Sequence, residues 1–348
     1  MAIKSSGNPN PPLAFSEIES EFGSNSSRSL GDYRISQTVG DLTKTLDTGI
    51  PSSGPIKFSE FYGKRLNVVV DFHTGDAESR QNAKSRYNGN SVTVIGGFRG
   101  KKQAGSKILI HVNKTIGSAK GNQNYVALRT GSWNSDVVLS VDIGGSGRLY
   151  GAGGDGGRGA DSWSDSGSNN GSSGGNGTSA LGIEHEETAV NVFGGRIRCG
   201  FAGGGGGAGA RQVDGPDRSA CGGGGGGGAG FPAGNGGERG LRLVGDSTST
   251  ESTDEVAVGS SGGAGQLEEN GEGGEGGNND GEAKGGDGGR GGDPNESAQS
   301  GNGGKNLDSS QGGAGANGAA IRRSNGSIQV DVSNGGTISG NTSATGVA

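Results

Sequence analysis

The sequence has little with which to build a conventional interior. Hydrophobic residues are 27% of its 348 positions, and the aromatics are two Trp, five Tyr and nine Phe. That supply fills one core, not the two or three domains that the length suggests. Cysteine is nearly absent. Cys199 and Cys221 are far below the density of a disulfide scaffold. They flank one glycine-rich stretch, so a bridge is conceivable, but two buried free thiols are the expectation. Proline numbers eight and the Gly-X-Y period is not kept, which excludes collagen. No apolar run approaches the roughly 18 residues of a membrane span, and no signal-peptide core follows Met1. Synthesis in a cytoplasm without membrane insertion is expected. Net charge is −6, with no basic patch interleaved with aromatics, so nucleic acid is an unexpected partner.

What the chain has is glycine, 82 residues of it, mostly after Gly144. It forms uninterrupted tracts at Gly203–Gly207 and Gly222–Gly228. The apolar residues concentrate between Leu66 and Tyr150. The remainder is therefore disordered or held by backbone hydrogen bonds.

Three zones follow. Residues 1–65 are polar, with two related phrases. In Phe15-Ser-Glu-Ile-Glu-Ser-Glu-Phe22, apolar groups at Phe15, Ile18 and Phe22 share one helical face, with Ser16 as a candidate cap and Gly23 as the stop. Phe58-Ser-Glu-Phe-Tyr62 predicts a second, one-turn helix. Both are too short to stand alone and read as a docking element on the chain's own domain or on a partner. Residues 66–150 carry strand candidates at 66–72, 91–95, 107–112, 124–128 and 136–141, separated by turn residues. They predict a small antiparallel sandwich or barrel. Residues 151–348 predict a glycine-rich layered domain, and the whole chain is expected to be mainly β.

A phrase recurs across the last two zones. Val138-Leu-Ser-Val-Asp-Ile-Gly-Gly-Ser-Gly-Arg-Leu-Tyr-Gly151 is followed by Thr188-Ala-Val-Asn-Val-Phe-Gly-Gly-Arg-Ile-Arg-Cys-Gly200. Ile328-Gln-Val-Asp-Val-Ser-Asn-Gly-Gly-Thr-Ile-Ser-Gly340 is the third copy. Leu241–Gly245 and Val256–Gly259 read as degenerate copies. A repeated strand, Gly-Gly turn and aliphatic means layers rather than a tether. Glycine supports layers in one way. An extended three-fold helix bonds only to its neighbours, and glycine alone lets those neighbours approach closely. The turns of such a lattice are free to vary, and here they are polar: 161–170, 211–218, 246–254, 266–284 and 293–300. Loops on a rigid scaffold are where recognition usually sits.

The run Phe193-Gly-Gly-Arg-Ile-Arg-Cys-Gly-Phe-Ala-Gly-Gly-Gly-Gly-Gly-Ala-Gly209 resembles the glycine-rich segment of bacteriophage receptor-binding adhesins at the tips of T-even-type long tail fibres. Residues 137–230 carry the resemblance; 231–348 share only its composition. The resemblance implies a polyglycine II sandwich whose loops bind a bacterial surface receptor, polysaccharide or outer-membrane protein. The first zone is similar to N-terminal ends of phage fibre proteins that join the virion. It implies other virion tail or fibre proteins as partners and a place in the virion tail, after assembly in the host cytoplasm. A homotrimer and a monomer fit equally. A structural virion component without receptor binding is the alternative. A secreted matrix or calcium-binding protein is a third class.

Other motifs are weaker. None of the many Gly-x-Gly-x-x-Gly matches follows a strand and opens a helix, so no dinucleotide site is expected. Gly153-Gly-Asp-Gly-Gly157 and Gly285-Gly-Asp-Gly-Gly289 lack the hydrophobic ninth position of calcium-binding nonapeptides. His73, His111 and His185 are scattered. His111 reads as a strand-face residue, and His185 as a solvated strand edge rather than a metal ligand. No catalytic residues, metal or cofactor are expected, and a glycan-cleaving enzyme would need a long β-helix with regular apolar stacking, which the glycine-rich region lacks. Trp163, with Ser164 and Asp165, is a candidate receptor anchor, because a tryptophan between such polar neighbours is poor core. Packing over the scaffold's edge explains it equally well. Arg211, Asp214, Asp217 and Arg218 are candidate receptor contacts or pair with each other in water. Phe15, Ile18, Phe22, Phe58, Phe61 and Tyr62 are the candidate virion-docking residues.

Overall fold

The computed structural model describes residues 12–22, 29–33, 37–39, 42–44, 50–51, 53–64, 68–72, 78–83, 85, 107–162, 170–211, 218–241, 256–279, 283–305 and 309–348. A helix α1 (Phe15–Phe22) and an antiparallel hairpin of β1 (Gln37–Val39) and β2 (Leu42–Lys44) come first. The chain then coils five times. The first coil is β3 (Val68–Phe72), β4 (Glu78–Ser79) and β5 (Gln81–Asn82). The second is β6 (Lys107–Val112), β7 (Thr115–Gly117) and β8 (Val126–Arg129). The third is β9 (Val138–Ile143), β10 (Arg148–Tyr150) and β11 (Ser179–Ile183). The fourth begins with β12 (Thr188–Val192) and β13 (Arg196–Arg198). It passes through the short strands β14 (Ala210–Arg211), β15 (Ser219–Ala220), β16 (Val256–Ala257), β17 (Asn278–Asn279) and β18 (Ala283–Lys284), and closes with β19 (Ile321–Arg323). The fifth is β20 (Val330–Asn334), β21 (Thr337–Ser339) and β22 (Ala344–Thr345).

Like strands stack on like. β3-β6-β9-β12-β20, β4-β7-β10-β13-β21 and β5-β8-β11-β19-β22 form three sheets, and every pairing in them is parallel. This is a three-sided parallel β-helix. Apolar columns run through it, such as Val70, Ile110, Val141, Val190 and Val332. Ile116, Leu149, Ile197 and Ile338 form another.

The chain is mainly β, as expected, but the antiparallel sandwich is corrected to a parallel helix. Short strands separated by turns suit both; the recurring phrase decides between them. Its three copies are β9–β10, β12–β13 and β20–β21 on successive coils, and its glycines are the corners. A Cβ on Gly147 would sit 2.3 Å from the Val112 carbonyl oxygen, one on Gly195 2.4 Å from that of Gly144, and one on Gly336 2.3 Å from that of Gly195. Each corner lies on the corner below, so the phrase repeats because the coils stack. The regular apolar stacking expected to be missing is therefore present. Leu241 and Val256 lie in none of the three stacked sheets, and the strand candidate at 91–95 lies outside the described residues.

The N-terminal zone folds onto this helix. Ser16 lies inside α1 rather than capping it; the Glu17 carboxylate accepts the Ala14 N–H at 2.8 Å. The second short helix is a 3₁₀ turn, Phe58–Phe61, where Glu60 accepts the Lys57 N–H at 2.6 Å. Phe15, Phe22, Tyr33, Phe58 and Phe61 meet edge to face, or tilted for Phe22 on Tyr33, with centroids 5.8 to 6.2 Å apart. Ile18, Phe22, Tyr33, Ile50 and Phe61 join one continuous hydrophobic cluster that reaches Ile328.

The glycine-rich sequence leaves the coil between the second and third sheets. After β10 it runs out along 151–162 and back along 170–178. After β13 it makes four such trips: 199–210 and 219–230, 231–241 and 256–266, 269–279 and 283–293, 298–305 and 309–320. Hydrogen bonding has a period of three. Gly203 and Gly206 donate to Gly175 and Ser172, Gly204 and Gly207 to Gly226 and Gly223, and Gly205 and Ala208 to Gln299 and Asn302. Their carbonyls accept from runs 151–162, 283–293 and 309–320. Gly222–Gly228 likewise donates to three runs and accepts from three others. Each unbroken tract thus has a rod on all six sides, and no position has room for a side chain. A Cβ on Gly225 would lie 2.1 Å from the Gly204 carbonyl oxygen.

Outer runs have one free side, and every third residue there is something else. Asp155, Arg158 and Asp161 follow that period, as do Glu269, Glu272, Glu275 and Asn278. Glu268, at a turn against the β-helix, ties the two parts together. It accepts from Arg196 and from the Tyr150 hydroxyl at 3.4 Å, and Arg198 Nη1 lies 3.6 Å away. Desolvation would raise its pKa, but these partners outweigh it and hold the carboxyl below its usual range.

Gly225→Ala is expected to lose the folded lattice or more than about 3 kcal/mol of stability, beyond ordinary overpacking, because six rods cannot all retreat. Gly303→Ala is the control, since its nearest foreign atom would be 3.8 Å away. Thermal unfolding of both variants measures the contrast.

Candidate functional site

Because the runs alternate in direction, their turns divide between two ends. At the far end the chain departs at residues 162, 211, 241, 279 and 305 and returns at 170, 218, 256, 283 and 309. The segments between, 163–169, 212–217, 242–255, 280–282 and 306–308, lie outside the described residues. At the near end the turns meet the β-helix. The Phe231 carbonyl accepts the Ser118 N–H at 3.2 Å, and the turn at Glu268 binds Arg196.

The far rim is held by β-pairing rather than by the glycine lattice. β14 pairs with β15, β15 with β16, and β17 with β18. Ala210, Ala220 and Ala283 are buried together beneath it, with Ala257 against them. These alanines replace the last glycines, and their methyls fill the space that closer rods would occupy. Asp161 braces the rim by accepting the Leu241 N–H at 2.7 Å and pairing with Arg158. Two layers down, Asp155 accepts the Asn235 N–H at 2.7 Å and the Lys120 ammonium at 2.6 Å.

This architecture agrees with a known family. The family model of the phage tail fibre adhesin Gp38 matches residues 74–343, nearly the whole β-helix and all of the lattice. The chain belongs to the phage tail fibre adhesin family. The crystal structure of the gp37-gp38 adhesin tip complex of the bacteriophage S16 long tail fiber is similar to it, at 18% identity and a TM-score of 0.38, over 84% of this chain and 89% of that one. No curated protein matches. The adhesin is a receptor-binding component of the virion tail.

Of the adhesin's expected receptor contacts, Trp163, Ser164, Asp165, Asp214 and Asp217 lie outside the described residues. Arg211 and Arg218 are half-buried on the far rim, Arg211 in register with Ser219. The fold brings the ends of both expected loops to one face. It adds three segments, of which 306–308 was not anticipated; the signal for it is a break in the Gly-Gly-Xaa period. The polar turn at 293–300 lies instead at the near end. Gln266–Lys284 is not one turn but the rod 269–279 with its flanks. Ile18, Phe22 and Phe61 are also corrected as docking residues, since each is buried in the adhesin's own core. Phe58 is exposed, and Phe15 and Tyr62 are half-buried.

No group of His, Cys, Asp and Glu able to hold a metal occurs among the described residues. His185 is not a solvated edge; it is buried, with Nε2 2.8 Å from the Val137 carbonyl oxygen. His111, also buried on its strand, places Nδ1 3.0 Å from an Asp71 carboxylate oxygen. Cys199 and Cys221 are free and buried. Burial pushes the Cys199 thiol up to about 12 and raises that of Cys221. Thiolate is the reactive form, so both should resist iodoacetamide at pH 8 in the folded adhesin and react once guanidinium unfolds it. Mass spectrometry of the alkylated chain reads this directly.

Proposed function

We propose that the adhesin binds its host receptor with the far face of the glycine lattice, through segments 163–169, 212–217, 242–255, 280–282 and 306–308. The observation that carries this is the alternation of run direction, which brings the ends of all five of these loops, at 162 and 170, 211 and 218, 241 and 256, 279 and 283, and 305 and 309, to one end. The lattice acts as a polyglycine II-type scaffold, and its three-residue bonding period supports that reading. Trp163 is the anchor candidate, with Ser164, Asp165, Asp214 and Asp217 as further contacts and Arg211 and Arg218 at the loop bases. The receptor is a bacterial polysaccharide or outer-membrane protein, and binding needs no catalysis. Several adhesins on one particle turn weak single contacts into firm attachment. Residues 1–65 join the adhesin to other tail or fibre proteins, with exposed Phe58 and half-buried Phe15 and Tyr62 as the contacts left for a partner. Assembly takes place in the host cytoplasm.

Exchanging segments 163–169 and 212–217 for those of a related adhesin tests this. Adsorption to the original host should fall more than about tenfold, since losing one anchor costs about 2 kcal/mol or more. Intact particles with unchanged adsorption and host range would contradict it.

A further inference from the structure

Where the last two coils meet the returning glycine rod, a cavity of about 490 Å³ opens, at the opposite end of the lattice from the far face. Its wall includes Gln123, Cys199, Phe201, Asn317, Arg322 and Asn341. Arg322 is on β19 and only 6% exposed. Its Nε donates to the Ser179 hydroxyl at 3.1 Å, and its Nη1 to the Thr345 carbonyl. Those bonds leave Nη2, and among the described residues no carboxylate pairs with this guanidinium. Burial lowers its pKa below the usual guanidinium value, with no charged neighbour acting against that. A desolvated cation without a counter-charge is costly.

The amides point to the same chemistry. Asn317 Oδ1 accepts the Ala202 N–H at 2.9 Å. Asn341 Oδ1 accepts the Ser343 N–H at 2.8 Å and its hydroxyl at 3.0 Å. With both acceptors engaged, each amide keeps N–H donors. Alanine, the Phe201 ring and the protonated Cys199 thiol supply the apolar part of the wall.

We propose that this cavity binds a monoanionic carboxylate on a compact polar body, an acidic monosaccharide of the uronic acid type. One guanidinium and two amide donors match the charge and the acceptors of one carboxylate. A phosphate dianion would bury an uncompensated negative charge. The volume suits a small ligand. The site is separate from the far face, so its failure would leave the receptor reading intact.

Thermal unfolding of the full-length adhesin at pH 7 and constant ionic strength tests it, with sodium glucuronate, sodium acetate, glucose, sodium phosphate and sodium chloride as probes. Glucuronate should raise Tm with dose; at tenfold excess over its Kd the folding constant rises about elevenfold. Glucose and chloride should do nothing, and acetate less than glucuronate. A glucuronate-containing disaccharide that matches the monosaccharide assigns the source to a sugar chain; one that fails assigns it to the free acid. Either keeps the carboxylate site. A phosphate response above that of glucuronate, or equal acetate and glucuronate responses, would overturn the proposal. Arg322→Ala should abolish the response but also removes bonds to Ser179 and Thr345. Asn341→Asp keeps the bonds to Ser343 and places a carboxylate beside Arg322. With a negative charge in place of an amide donor in the same cavity wall, it should fold with undiminished Tm and lose the glucuronate response; a wild-type response in that variant would overturn the site.

Discussion

The structure depends on satisfying the backbone polar groups of residues that have no side chain to bury. Inside the lattice each N–H and carbonyl of Gly222–Gly228 faces another rod rather than water. One unpaired group there costs about 1–3 kcal/mol, and glycine gains little else on ordering. The six-neighbour arrangement is the solution, and it tolerates no Cβ. The two unbroken tracts are therefore the two positions surrounded on every side.

The β-helix meets the same demand differently. Its parallel sheets pair each coil with the next and bury aliphatic columns between three faces. The last coil is mostly exposed along β20. The two parts share one frame, because the glycine rods start from β10 and β13 and return into β11 and β19. The first rods thus inherit the register of stacked strands: Gly151 N–H bonds to the Arg198 carbonyl, continuing the β10–β13 pairing, and Gly154 to that of Phe201. Glu268 and Phe231 fasten the near turns to the coils. Far from that anchor, alanines and two-residue strand pairs close the lattice at the bases of the loops proposed to bind the receptor.

Much of this was legible in residues. The i, i+3, i+7 spacing of Phe15, Ile18 and Phe22 specified α1, and Lys107–Val112 specified β6. The Gly-Gly phrase at 144, 194 and 335 announced layers. Its meaning was misjudged because alternation shows which face of a strand is buried, not which strand lies beside it; parallel pairing joins residues from 22 to 142 positions apart. The unbroken tracts suggested close-packed rods, but their sixfold coordination required knowing which outer runs carry a residue at every third place. Of the site, the loops flanked by Arg211 and Arg218 were found from their polarity alone. That all far-end segments share one face follows from counting rod reversals, which needs the rod boundaries. Ile18, Phe22 and Phe61 were misassigned because an amphipathic helix does not reveal whose core it covers.

Hydrogen exchange measured residue by residue tests the central claim most directly. If the glycine tracts are the innermost rods, the amides of Gly203–Gly207 and Gly222–Gly228 should be protected as strongly as those of β6 and β9, which lie in the middle of the β-helix. Exchange at the rate of an unstructured glycine peptide, with the β-helix still protected, would contradict a solid lattice.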